Sequence, residues 1–129
     1  MAIHNVFGKM GEDEACLFLA LRDYTLLDRN WRSDHLEIDI VADYFGELVF
    51  VEVKTRRNED FGYATDAVDA EKRRHLLEAA KAYMAKKQID QPYRFDVITV
   101  VGERRPFTIR QYVNAFNAMG VYQHPRSNA

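Results

Sequence analysis

Two apolar runs in the middle of the chain constrain its fold more than any other feature. Leu36 to Ala42 and Leu48 to Lys54 both carry the alternating, β-branched pattern of strands. Between them lies the turn-forming stretch from Asp43 to Glu47. The sequence therefore predicts a β-hairpin in the centre of the fold.

The register of this hairpin follows from the length of its turn. With residues 45–46 in a two-residue turn, Tyr44 faces Glu47, and counting back along both arms places Asp39 opposite Glu52. A longer loop from 44 to 47 keeps the same register. Two facing carboxylates repel each other, so we expect a cation between them.

The chemistry of these side chains predicts which cation binds. Asp39 and Glu52 offer only oxygen ligands, which favour magnesium, with manganese as the alternative cofactor. Zinc is disfavoured, because Cys16 is the single cysteine and the histidines show no ligand spacing. In a strand, Lys54 shares a face with Glu52, about 7 Å along the chain. Asp39 followed by Glu52-Val53-Lys54 has the D…(D/E)xK form of metal-dependent nucleases. The structural alternative is that Glu52 and Lys54 only occupy the solvent-facing side of a strand.

The remaining patterns predict an α/β protein with a central mixed sheet in the order α-β-β-β-α-β, flanked by helices. Gly8 and Gly11 in the first helix suggest close packing against the sheet. The chain is predicted to be one domain over 1–129, with a core at about 8–101 and a variable C-terminal segment at 102–129. Besides the hairpin, the predicted elements are a helix at 8–23, an edge or near-edge strand at 24–31, a helix at 66–87, a strand at 94–101, and a short strand at 107–110 followed by an amphipathic piece.

The net charge of −2 argues against global electrostatic attraction to nucleic acid, so any such contact must be local. Two basic groups could supply it, although a solvated charged face is the simpler interpretation: Lys54, Arg56 and Arg57, and then Lys72, Arg73 and Arg74. No run approaches the roughly 18 apolar residues of a membrane span, and the N-terminus lacks a signal-peptide pattern. We therefore expect a cytoplasmic protein with no membrane partner.

Over about residues 8–101 the sequence resembles the YraN-like proteins, a family distantly related to archaeal Holliday junction resolvases. The resemblance rests on Gly11-Glu12 with Ala15 and Leu19, Asn30-Trp31-Arg32, Glu37-Ile38-Asp39, Leu48 to Arg56, Phe61-Gly62 with Ala67-Val68, Lys72, and Arg94 to Ile98.

The resemblance implies a restriction-endonuclease-like fold with a PD-(D/E)xK site and hydrolysis of phosphodiester bonds in DNA. By position, Glu12 is the acid of the first helix, Asp39 and Glu52 are metal ligands, Lys54 is the catalytic lysine, and the Val53 carbonyl completes the metal shell. Lys72 is an accessory basic residue. Branched DNA is the implied substrate, and a homodimer is consistent with relatives that pair two sites.

Several assignments remain open at this level. Glu14 competes with Glu12 as the helix acid, and Glu37 lies close to Asp39 but has a mainly structural interpretation. Arg32, Arg56, Arg57, Lys72 and Arg73 are candidate nucleic-acid contacts, while Trp31 and Tyr63 could stack on a base or belong to the core. The alternative function is a nucleic-acid-binding or partner-binding module with the same fold and little activity.

Overall fold

Two helices and one mixed β-sheet form the described part of the chain. The computed structural model describes residues 3–58, 69–116 and 126–127. Five long strands form most of the sheet, and a two-residue strand extends one edge. In chain order the elements are α1 (Ile3–Ala20), β1 (Thr25–Ser33), β2 (Leu36–Tyr44), β3 (Glu47–Arg56), α2 (Ala70–Lys87), β4 (Tyr93–Val101), β5 (Thr108–Phe116) and β6 (Arg126–Ser127).

The strands lie in the sheet in their sequence order, from β1 at one edge to β6 at the other. All neighbouring pairs are antiparallel except β3 and β4, which are parallel. A parallel pair needs a long crossover connection, and α2 lies within it. The predicted mixed sheet, its antiparallel hairpins, its crossover and the edge position of β1 are confirmed.

The β2–β3 hairpin has the predicted turn. Phe45 and Gly46 have φ values of +49° and +90°, the positive angles that a two-residue type I′ turn requires. Tyr44 pairs with Glu47, and the register continues without a shift to Ile40 and Val51. The predicted hairpin register is therefore confirmed over these pairs.

The segment after β4 differs from the prediction. The short strand expected at 107–110 is the first part of a longer strand, β5, which continues to Phe116. The predicted end of this strand at residue 110 is therefore wrong. A shift in the β4–β5 register and the positive φ of Asn114 mark an irregularity that disguises the strand pattern. The buried Asp96 carboxylate accepts a hydrogen bond from the Asn114 amide (2.9 Å), which holds β5 at this irregularity.

Each helix covers one face of the sheet, and the faces follow the alternation of β3. On the α2 face, Leu76, Ala79, Ala80 and Tyr83 pack on Leu48, Phe50, Phe95 and Val97. On the α1 face, Ala15, Cys16, Phe18 and Leu19 pack on Val49, Val51, Ile98 and Val100. Even-numbered residues of β3 therefore lie on the α2 face. Neither of these two described helices has the length and apolar composition of a membrane span.

Helix α1 begins at Ile3, before the predicted start at Gly8, and ends at Ala20. Of its two glycines, only Gly11 is closely packed. A Cβ atom on Gly11 would lie 2.0 Å from Thr55 Oγ1, whereas a Cβ atom on Gly8 would meet nothing within 4 Å. The prediction of close packing is confirmed at Gly11 and wrong at Gly8.

We predict opposite effects on stability when these glycines are replaced. Gly8→Ala gains helix propensity of about 0.5–1 kcal/mol. Gly11→Ala forces Thr55 away from the helix and lowers the free energy of unfolding by about 1–3 kcal/mol. Denaturant unfolding of both variants measures the difference, and adding Thr55→Ala to Gly11→Ala should restore part of the loss. Equal stability of the two glycine variants would contradict this packing.

Candidate metal centre

The candidate site lies where β2 and β3 leave regular pairing. The next facing residues after Ile40 and Val51 are Asp39 and Glu52. There, Asp39 Oδ2 accepts a hydrogen bond from the backbone amide of Val53 at 2.8 Å, in place of a main-chain carbonyl. A side chain thus completes the β2–β3 contact at this point, and both carboxylates are held beside the same stretch of β3.

Glu52 lies on the α2 face of β3, in line with the buried apolar residues Leu48 and Phe50. It is only 4% exposed. Its Oε2 atom is 3.1 Å from Nζ of Lys72, in the first turn of α2. The Asp69 side chain caps this turn and accepts a hydrogen bond from the Lys72 amide. The start of α2 therefore places an ammonium group directly against a buried carboxylate.

The two carboxylates influence each other strongly. Burial, followed by the hydrogen bond and the negative charge of Glu52, raises the pKa of Asp39 from its ordinary value of 3.8 to about 8. The Val53 amide and the Lys72 charge act in the opposite direction but are weaker. Although burial disfavours its charge, Lys72 has a raised pKa because Glu52 and Asp39 stabilise the ammonium form. Near neutral pH, a proton on Asp39 and the Lys72 charge together relieve the repulsion.

The residues present fit a hard divalent cation. Glu52 Oε2 is buried and has no hydrogen-bond partner of good geometry. The nearby charge of Lys72 neutralises this oxygen, but its capacity to accept a hydrogen bond is not used. Asp39 and Glu52 would be the protein ligands, and Mg²⁺ is commonly held by one or two carboxylates while it keeps several waters. Within the described ranges, no three Asp, Glu, His or Cys side chains form a metal-binding group. The role of the Val53 carbonyl stays a prediction.

The other acidic candidates have partners of their own. Arg29 on β1 contacts both Glu12 (3.5 Å) and Asp13 (2.8 Å). Glu14 forms an ion pair with Arg105. The structure thus does not bring Glu12 or Glu14 into one group with Asp39 and Glu52, and the role of Glu12 stays a prediction.

One further acidic candidate lies closer to the site. Glu37 contacts Arg32 at 3.4 Å, and its charge also acts on Lys72. Glu37 is therefore near the candidate centre, although it is not one of the two facing carboxylates.

Lys54 follows Glu52 by two residues on the α2 face, and its side chain is half-buried. It forms no ion pair with any residue of the described ranges, in contrast to Lys72. The two lysines thus differ in their contacts: Lys72 forms an ion pair with Glu52, and Lys54 lies two residues further along β3. Lys72 neutralises the carboxylate, while Lys54 is available for another charge.

The predicted nucleic-acid contacts lie on β1, at the end of β3 and at the start of α2. Arg32 is exposed beside Glu37, Arg56 donates to the Thr55 carbonyl, and the Arg57 guanidinium lies 5.7 Å from the Phe7 ring centre. Arg73 is half-buried in the first turn of α2.

Of the two aromatic candidates, only Trp31 lies in the described part of the chain. Trp31 packs edge-on against Tyr83 at 5.2 Å, which favours the core interpretation over base stacking. Tyr63 lies outside the described residues.

The contact between Lys72 and Glu52 goes beyond the sequence prediction, in which Lys72 is only an accessory basic residue. The sequence nevertheless carries a signal for it. Lys72 precedes the buried Leu76 by four residues, so both side chains share the sheet-facing side of α2. The helical period thus indicates that this lysine faces the sheet, where Glu52 is the nearby acid.

Comparison with known proteins identifies the group of relatives. The sequence model of UPF0102, described as an uncharacterised protein family, matches residues 11–100. The chain belongs to the UPF0102 family. The matched range contains both carboxylates, both lysines and the hairpin that carries them.

Relatives in several bacteria support this membership. A UPF0102 protein of Phocaeicola vulgatus is 48% identical over 116 residues, covering 90% of this chain and 96% of the relative. One from Bacteroides fragilis is 49% identical over 116 residues with the same coverage. One from Oleidesulfovibrio alaskensis is 37% identical over 126 residues, covering 96% of this chain and 62% of the longer relative.

We predict that Asp39→Asn stabilises this UPF0102 protein when divalent ions are removed. The raised pKa means that ionising Asp39 costs folding energy, a cost absent near pH 4 and greatest above pH 8. The amide side chain of the variant can still accept a hydrogen bond from Val53 but carries no charge. In EDTA at pH 9, we expect a gain of about 1 kcal/mol or more, or about 3 °C in Tm, and a clearly smaller gain at pH 4.5, where only part of the cost is present.

Thermal unfolding at both pH values measures this effect. Asp90→Asn is the matched control, because Asp90 is exposed and forms no ion pair with described residues. The quantity to compare is the gain in stability of Asp39→Asn over the wild type at each pH. A gain at pH 9 that is no larger than the gain at pH 4.5 would contradict the repulsion between Asp39 and Glu52.

Proposed function

We propose that this protein is a metal-dependent DNA endonuclease of the restriction-endonuclease-like class, with a PD-(D/E)xK site. The observation that carries the proposal is a pair of neighbouring carboxylates, the half-buried Asp39 and the buried Glu52, on adjacent strands with Lys54 two residues further along β3. A sheet that gained only stability from these positions would not place a second acid beside a buried one.

The order of elements supports the same assignment. The site residues lie on β2 and β3, between a preceding helix and a parallel crossover through α2. This matches the order α-β-β-β-α-β that the resemblance implies, with further strands added after β4. The proposal thus draws on the arrangement of elements as well as on a short residue pattern.

Each side chain has a defined task in phosphodiester hydrolysis. Asp39 and Glu52 would hold Mg²⁺ or Mn²⁺, which supplies charge stabilisation for the phosphoryl oxygens when bound. Lys54, which forms no ion pair with described residues, would orient the attacking water or neutralise charge on the phosphate. Lys72 would leave Glu52 for a phosphate oxygen once a divalent ion replaces its charge.

The substrate that we propose is branched DNA, such as a Holliday junction. A net charge of −2 gives weak general attraction for a duplex, so binding must depend on local basic residues and on the shape of the substrate. Arg32, Arg56, Arg57, Lys72 and Arg73 are the proposed contacts. The resemblance also implies a homodimer.

A second function is favoured by one observation. Glu52 is already neutralised by Lys72, and the described residues add no third metal-binding group to the two carboxylates. A nucleic-acid-binding module with little activity would have these properties. It would bind DNA without divalent ions, and its affinity would fall steeply with salt.

The experiment is a cleavage assay with labelled duplex, flap, single-stranded and four-way junction DNA in Mg²⁺ or Mn²⁺. We expect cleavage of at least one branched form by the wild type. Asp39→Ala, Glu52→Gln and Lys54→Ala should each lose at least about 100-fold in rate, because each removes charge that the transition state requires. Lys81→Ala, at an exposed position of α2, is the control and should retain full activity.

Two results separate the candidate functions. If no substrate is cut while EDTA leaves DNA binding unchanged, the binding module replaces the nuclease. If cleavage occurs but Asp39→Ala matches the wild type, the proposed site is wrong.

A further inference from the structure

We propose that this protein forms an antiparallel homodimer through the outer face of α1. The surface consists of Val6, Met10, Leu17 and Leu21 and is called the α1 stripe below. This inference does not depend on the proposed hydrolase activity, since the stripe and the candidate metal centre lie on opposite sides of the sheet.

Helix α1 is apolar on two sides. Its inner side, with Ala15, Cys16 and Leu19, is buried against the sheet. On the outer side, Val6, Met10, Leu17 and Leu21 are 44%, 37%, 51% and 72% exposed. At 3.6 residues per turn these four positions fall within an arc of about 60°. A helix with apolar residues on both sides is expected to have a second partner.

The end of the stripe keeps helical geometry although α1 ends at Ala20. The Leu21 amide donates to the Leu17 carbonyl at 3.0 Å, so Leu21 continues the last turn. The stripe therefore runs along nearly the whole helix.

The spacing of the stripe matches a second copy of itself. Val6 and Leu21 are equally distant from the point between Asp13 and Glu14, and so are Met10 and Leu17. Two antiparallel copies related by a two-fold axis through this point place Met10 against the partner's Leu17 and Val6 against the partner's Leu21. A parallel pair would instead set each residue against its own copy.

The charges at the middle of the stripe are compatible with this axis. Asp13 and Glu14 flank the stripe on its two sides, and each is paired with an arginine, Arg29 and Arg105. The two-fold axis places the Asp13 edge of one copy beside the same edge of the partner, and likewise the Glu14 edge. Each edge of the interface therefore holds two acids and two arginines. These charges can pair across the interface as well as within one chain, which avoids uncompensated repulsion.

The size of the stripe sets the expected strength. A standard interface buries about 800 Å² on each partner, and four partly exposed side chains with their neighbours supply less. We therefore expect a Kd in the micromolar range, on the order of 10–100 µM.

Sedimentation velocity across about 5–500 µM protein tests the dimer. The wild type should shift from monomer to dimer, and Leu17→Glu should weaken association at least about tenfold, because it places charges in an apolar contact. Phe45→Glu is the control, since Phe45 is 81% exposed on the β2–β3 turn and outside the stripe. A wild type that stays monomeric throughout, or a Leu17→Glu variant that dimerises normally, would overturn the proposal.

Disulfide cross-linking in a Cys16→Ala background tests the orientation. A mixture of Met10→Cys and Leu17→Cys proteins should cross-link to each other in preference to themselves, and the Val6→Cys with Leu21→Cys mixture should do the same. Cross-links mainly within each variant, or none at protein concentrations above the Kd, would overturn the antiparallel arrangement. Far-ultraviolet circular dichroism of each variant ensures that the readout comes from folded protein.

Discussion

The repulsion between Asp39 and Glu52 is the constraint on which the rest of the site depends. The β2–β3 register brings these carboxylates together, and the burial of Glu52 on the α2 face of the sheet limits screening of the pair by water. Three features offset the repulsion: a hydrogen bond from the Val53 backbone amide, the ammonium group of Lys72 and the raised pKa of Asp39. All three reduce the effect of the negative charge that the fold brings together. A divalent cation bound between the carboxylates would do the same.

The fold assembles this charge from distant parts of the sequence. A two-residue turn fixes the acids on neighbouring strands, and the parallel crossover returns the start of α2 to the same face. The Asp69 cap sets the first turn of α2, from which Lys72 reaches Glu52. On the opposite face, Gly11 lets α1 approach Thr55 closely, so β3 is supported from both sides while its α2 face carries the charged groups.

Sequence reasoning predicted what depends on local patterns. The turn chemistry at Phe45 and Gly46 predicted a register that is observed as far as Ile40 and Val51, one position before the two carboxylates. Alternation in β3 separated Glu52 from its valine neighbours. Contacts between distant elements were harder to predict. Glu12 was expected to point to the metal, yet Arg29 from β1 contacts it, and no local pattern encodes that partner. The length of β5 was missed because its pairing depends on an irregularity stabilised by Asp96.

The central claim is that Asp39 and Glu52 form a divalent-cation site, and the Val53 amide reports on it directly. In a ¹⁵N-resolved NMR titration with Mg²⁺, the amide of Val53 should shift strongly, because it donates to Asp39 Oδ2. The Gly46 amide donates to Asp43 in the hairpin turn at 3.4 Å and is an internal control for nonspecific binding to aspartate. The account predicts a saturable shift at Val53 that Glu52→Gln weakens, with little change at Gly46. Equal shifts at both amides, or none at Val53, would contradict it.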